Sequence, residues 1–332
     1  MQIDWQQFQN FFITILPGAE LIPLALVALL LDSVLGGRKI LGRISGPDHI
    51  FHSILHVICH LLDHEKYGTV RRVLRGLLVL GTGLILLVPL GLWADEQIKG
   101  SFSGHIVGIL LLMLIFGQKT VRDHASDLVA MLGDPAHDKD ASRYGAARWG
   151  IERLTLRMAD GMIANGFILM ISGMWGLLTY RFIVMLVAVG SPKGILQPAS
   201  PYYRVAWWLY ELLTILPALF SCVLTFAAAL FYKVARINLT GTFFSNVPNS
   251  ILSRQLPLMA VAHAMGFSFL KGTGQGNSDD KWFGPRDGRD ELTGDDLENA
   301  LHLALIIWVI ELISLAGVAF LLWYYGAYTI LH

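Results

Sequence analysis

Charge is what this chain has least of. Of its 332 residues only 15% are Asp, Glu, Lys or Arg, against about 25% in an ordinary soluble domain. The signs balance, with 25 Lys and Arg against 25 Asp and Glu. That excludes the basic excess on which non-specific nucleic-acid binding depends. Cysteine is scarce as well. Cys59 and Cys222 stand far apart, so there is neither a disulfide framework nor a zinc-binding spacing. Complete catalytic motifs are missing too. Gly272-Thr273-Gly274-Gln275-Gly276 lacks the lysine and the strand–helix setting of a phosphate loop and reads as a flexible connection. The first apolar run has no basic segment before it and no small-residue cleavage site, so it is expected to remain as a span.

What the chain has instead is long apolar stretches. It is 54% hydrophobic, with a mean hydropathy of +0.55. Runs of about 20 apolar residues are long enough to cross a bilayer as helices. Only a helix satisfies its own backbone there, and these runs are too continuous for barrel strands. The expected fold is therefore all-α: a single integral membrane domain over 1–332 with about six transmembrane helices and amphipathic cytoplasmic helices. The spans are read as Phe11–Leu35, Gly76–Trp93, Ile106–Phe116, Met162–Leu178, Val205–Tyr232 and Leu301–Ile330. Residues 182–189 either continue the fourth span or re-enter.

Lys and Arg alternate between rich and poor loops. The first loop carries Arg38, Lys39, Arg43, Lys66, Arg71, Arg72 and Arg75, the second only Lys99. The third is rich again, the fourth poor, the fifth rich, and the last segment has none. By the positive-inside rule, 36–75, 117–161 and 233–300 are expected in the cytoplasm and both termini outside, in a multi-pass protein of the bacterial inner membrane. The lipid bilayer is its first partner. These loops hold further helical patterns: Asp48–His64, Val121–Leu132, Gly145–Met158 and Ile251–Leu270, the last read as interfacial or re-entrant.

The first of these patterns places His49, His52, His56, His60 and His64 three or four residues apart, opposite an aliphatic face. It reads as an interfacial helix. His52, His56 and His60 could ligate a metal, or the face could respond to pH. Ionisable residues within or beside spans, among them Asp32, Glu211 and Glu311, are candidate functional groups or structural pairs, since charge at membrane depth is costly. They leave a transporter open as a weaker reading.

Order and spacing also carry a resemblance. Leu29-Leu30-Leu31-Asp32 with Gly36, Pro47-Asp48-His49, Arg122-Asp123-His124, and Gly145–Glu152 followed by Asp160-Gly161 and Ala164 fall in the order of one family's blocks. So do Pro257, Ala260, Ala262, Ala264 and Gly266, then Trp282-Phe283-Gly284 through Asp295-Asp296. The chain resembles the cobinamide-phosphate synthase (CobD/CbiB) family of cobalamin biosynthesis over most of its length. The resemblance implies amide ligation of an aminopropanol phosphate to adenosylcobyric acid, with ATP consumed and a corrinoid as substrate. It offers Asp160, Glu152 and Asp32 as catalytic candidates, with His49, Asp123, His124 and Glu211 as further polar positions. Departures are marked. Leu156-Arg157 stands for a Glu-Asn pair and Asn165 for a proline. Apolar Ile183–Ala188 stands for a polar block, Tyr210-Glu211 for paired aspartates, and Ile251–Gln255 for a Ser-Pro-Asn-Ala-Gly run. Two readings follow. One is a biosynthetic membrane enzyme. The other is a catalytically degenerate relative, acting as a regulator or as an accessory subunit of a membrane complex and unable to perform the ligation alone. A second membrane protein or a corrinoid stays open as partner.

Overall fold

The structure, a computed structural model, describes residues 16–35, 47–63, 66, 68–132, 142–190, 200–232, 252–270, 282–285, 288–289 and 291–324. Among the described residues it is all-α apart from one β pair with two residues per strand and an isolated bridge between Phe267 and Arg289. The helices are α1 (Ile22–Leu35), α2 (Pro47–Leu62), α3 (Thr69–Gly100), α4 (Phe102–Phe116) and α5 (Gln118–Leu132). They continue with α6 (Ser142–Met158), α7 (Ala164–Val189), α8 (Arg204–Phe231), α9 (Leu252–Met265) and α10 (Gly294–Tyr324). Strands β1 (Phe269–Leu270) and β2 (Trp282–Phe283) pair antiparallel between α9 and α10.

Among the described residues, five helical runs are long and apolar enough to cross a membrane, against the six expected. The difference lies at the start. The described part of the first expected span is a 3-10 turn, Ala19–Leu21, followed by the 14 residues of α1. At about 1.5 Å per residue such a helix is ~21 Å long, short of a hydrocarbon core of about 30 Å. Residues 11–15 lie outside the described residues, as do 325–330 at the other end. The remaining runs carry lipid-facing side chains: Leu78, Ile85 and Leu86 on α3 and Leu212, Leu216 and Val223 on α8 are exposed.

The fourth span is the main departure. Helix α6 passes through a π-helical turn, Ala159–Ile163, straight into α7. Within α7, Gly173 adopts φ 70, ψ −158, a conformation open essentially to glycine alone. There the run folds back. Tyr180 Oη donates to the Asp160 carbonyl at 3.2 Å, whereas 20 residues of straight helix would separate the two by about 30 Å. Ala164 and Ile168 accordingly pack against Tyr180 and Val184. The N–H of Met174, which opens the returning limb, is held by the Asp95 carboxylate of α3 at 3.0 and 3.2 Å. Residues 182–189 thus belong to that returning limb.

The fold-back changes which loops meet. Arg72, at the start of α3, donates to Ser200 Oγ at 2.7 Å, and the Gly76 backbone lies against the Tyr202 carbonyl. The end of the first loop and the end of the fourth are therefore neighbours, where the charge alternation had set them on opposite sides. Helix α9 also departs from expectation. Of the interfacial and re-entrant alternatives the interfacial one fails, because Leu256, Met259, Ala260, Val261, Ala262 and Ala264 are all buried, packed with α6, α8 and α10. The small alanines permit that close approach.

Helix α2 forms where the histidine pattern predicts it. Leu55 and Cys59 are buried against α3, α7 and α8 residues, while Ile54, Val57, Ile58 and Leu61 stay exposed. His64 lies outside the described residues.

Candidate active site

Two features of the chain build the site. Gly117 ends α4 in the left-handed region, φ 52, its N–H bonded to the Met113 carbonyl. The chain leaves in a new direction as α5, which lies along α6. On α6, Trp149, Arg153 and Arg157 recur every four residues and the series ends at Gly161 in the π turn. Four-residue spacing keeps side chains on one helix face.

That face lines a cavity of about 380 Å³. Opposite it stand Val121, His124, Ala125 and Leu128 of α5, with Phe116 at the α4 end and Arg181 from the returning limb of α7. Among the described residues the lining includes three arginines and a histidine and no Asp or Glu. Arg153 is stacked over the Trp149 ring, 5.1 Å from its centre. A Cβ on Gly161 would meet nothing within 4 Å, so its missing side chain leaves the space open.

Behind Gly161 lies Asp160. Its carboxylate accepts from Tyr210 Oη at 2.7 Å and faces Arg254 Nη2 at 3.9 Å. Arg254 Nε donates to the same Tyr210 oxygen at 3.2 Å. The guanidinium lies over the rings of Tyr210 and Trp207, 5.1 and 5.3 Å from their centres. Burial opposes the charge on Arg254, but Tyr210 and Asp160 outweigh it and hold its pKa above the ordinary value. Three helices that are distant in sequence are joined by this paired charge. The π turn is what carries Asp160 there, and such turns recur at functional sites.

The structure sorts the other candidates. His124 lines the large cavity, and Asp123 is its half-buried neighbour on α5. Asp32 is fully buried and accepts from the Lys119 backbone N–H at 3.4 Å, holding the first turn of α5. Glu211 accepts the backbone N–H and hydroxyl of Ser253 at 2.8 and 2.7 Å, tying the start of α9 to α8. Glu152 is half-buried on α6 and does not line the cavity. Glu311 is buried on α10 beside Gly166. His49 falls in α2, its side chain outside the described residues. His52, His56 and His60 form a row with ring centres 6.4 and 6.3 Å apart. Among the described residues no three His, Cys, Asp or Glu are grouped so as to hold a metal. Asp160 is thus joined by Tyr210, Arg254, Arg157 and Arg181, which sequence reasoning had not proposed. The four-residue series on α6 was a legible signal. Arg254 and Tyr210 gave none, because their meeting is tertiary.

A second, smaller cavity of about 70 Å³ lies next to the first and shares Phe116, Val121, Leu154, Arg157 and Gly161 with it.

Compared with known proteins, the chain is 27% identical over 235 residues to the cobalamin biosynthesis protein CobD of Rhizobium meliloti (strain 1021). That match covers 65% of this chain and 70% of the relative. No family model matches, and neither does any solved structure. The chain is therefore a helical protein with membrane-spanning runs and a distant likeness to a cobalamin biosynthesis protein.

Proposed function

We propose that this protein is a membrane enzyme of cobalamin biosynthesis that holds a phosphate-bearing substrate in the cationic cavity beside Asp160. The observation that carries the reading is the cavity lining: Arg153, Arg157, Arg181 and His124 converge without a carboxylate among them. Arginine is the side chain best suited to phosphate, which it binds through two parallel hydrogen bonds. A volume of about 380 Å³ is within the usual range for a small-molecule site, about 300–1,000 Å³. An aminopropanol phosphate fits such a space. The sequence departures had argued that charge was lost at positions matched to the family. One cation, Arg157, stands at such a matched position, and Arg153 and Arg181 come from elsewhere in the chain.

In the amide ligation, the arginines would neutralise phosphate charge and fix the amine relative to the acyl group, which ATP would activate. Asp160, tied to Tyr210 and Arg254, would hold the π turn and so set the positions of Arg157 and Gly161. A second reading, a catalytically degenerate relative serving as regulator or accessory subunit, is favoured by one observation. Ile183, Leu186 and Val187, where the family has a polar block, are core residues packed with Leu80, Tyr202 and Trp207.

Complementation separates the two. A strain lacking its own cobinamide-phosphate synthase is grown where cobalamin is required and only the upstream corrinoid is supplied. Growth with this protein, lost in Arg157→Gln, supports the enzyme. Absence of growth with the protein present in the membrane supports the degenerate reading.

A further inference from the structure

The smaller cavity has a different character from the larger one. Its wall is apolar on the sides of α6, the π turn and α10, with Leu154, Met162 and Leu305, and cationic on the α5 side, with Lys119 and Arg122, Arg157 standing between. Among the described residues no Asp or Glu lines it. Asp32, the nearest described carboxylate on α1, is turned to the Lys119 backbone N–H. Lys119 Nζ donates to the Val34 carbonyl and Arg122 Nη2 to the Ser33 carbonyl at 3.0 Å. Both cations are thereby held at the C-terminal end of α1. On the α10 side Trp308 lines the cavity, and its indole N–H is buried with no acceptor among the described residues. A buried donor of this kind is costly unless something accepts from it.

Size and surroundings narrow the occupant. A volume of about 70 Å³ takes a group the size of one phosphate and no nucleotide. The rest of any ligand lies outside. Beside the cavity, Val34 and Leu35 expose apolar side chains at 69% and 49%, a surface suited to hydrocarbon rather than water. Cations next to a span, an apolar outer surface and a tryptophan are the features by which membrane proteins hold anionic headgroups.

We propose that this cavity binds the phosphate of an anionic phospholipid, with the acyl chains lying along the exposed face of α1. The headgroup phosphate accepts from Lys119, Arg122 and the Trp308 indole, and Arg157 stands between this site and the larger cavity. The proposal is independent of the reaction assigned to that larger cavity.

The test uses the full chain purified in detergent, with native mass spectrometry after addition of phosphatidylglycerol or phosphatidylcholine. The wild type is expected to retain phosphatidylglycerol preferentially. Lys119→Gln with Arg122→Gln should reduce that preference about tenfold or more, since each removed cation forfeits a charge-assisted contact. Arg153→Gln, which lines only the larger cavity, should leave it unchanged. Should the double variant fail to purify as a single species, Trp308→Phe removes one donor without changing charge and should still weaken retention severalfold. Equal retention of phosphatidylcholine, or full retention by the variants, overturns the proposal. So does displacement of the lipid by excess inorganic phosphate, which would assign the cavity to a free phosphate compound.

Discussion

Removing Arg254 should cost more than removing Arg254 and Asp160 together. The two groups lie 3.9 Å apart with side chains only 10% and 16% exposed. At an effective dielectric constant of about 20, Coulomb's law gives roughly 4 kcal/mol of attraction at that distance. Deleting one partner of a buried pair typically costs about 3–5 kcal/mol, because the other charge is left uncompensated. Arg181 and Arg157 also act on Asp160, so the lower end, about 3 kcal/mol, is expected for Arg254→Met. Tyr210 remains able to donate to Asp160 in that variant. In the double variant Arg254→Met with Asp160→Asn there is no bare charge, and most of the loss should be recovered. The assay is a double-mutant cycle on unfolding of the full chain in one detergent, with Tyr210→Phe as a third position. A coupling of about 2 kcal/mol or more is expected between residues 160 and 254, well above the ~0.5 kcal/mol within which independent sites add. Additive losses would refute the idea that this pair ties the π turn to α9.

Gly161→Leu should fold, since a Cβ there meets nothing within 4 Å, yet fill the large cavity. Binding of a phosphate ligand, followed by calorimetry, should fall by about tenfold or more. Gly150→Ala, by contrast, would set a Cβ 2.7 Å from Leu128 and 3.1 Å from Leu297. Overpacking at the α5, α6 and α10 junction should destabilise by about 1–3 kcal/mol, seen as a lower Tm. Single cysteines at the exposed positions Lys66→Cys and Arg204→Cys, in a chain without Cys59 and Cys222, should be labelled by an impermeant reagent from the same side of the membrane; opposite sides would contradict the fold-back of α7. Cys59 lies on the buried face of α2, and burial first, then the charge of Asp63, push its thiol above the ordinary value. With the pKa raised, thiolate is scarce at pH 8 and grows only at higher pH, so maleimide should react with Cys59 more slowly than with an exposed thiol, the gap narrowing as pH rises.

By itself the sequence determined the class of this protein. A bilayer admits few backbone solutions, so long uncharged runs had to be helices, and the periodicities of α2, α5 and α6 placed those helices within three residues of where they lie. The cationic stripe Trp149-Arg153-Arg157 was also readable, because helix geometry alone puts every fourth residue on one face. Other features depended on pairs far apart in the chain. Hydropathy could not tell that residues 164–189 fold back on themselves, since both limbs are apolar and the reversal rests on one glycine and on a carboxylate 78 residues earlier, Asp95. It could not tell that Arg254 would find Asp160 across α8, or that α9 would be buried. A buried charge is stable only with its partner, and only the tertiary structure supplies the partner.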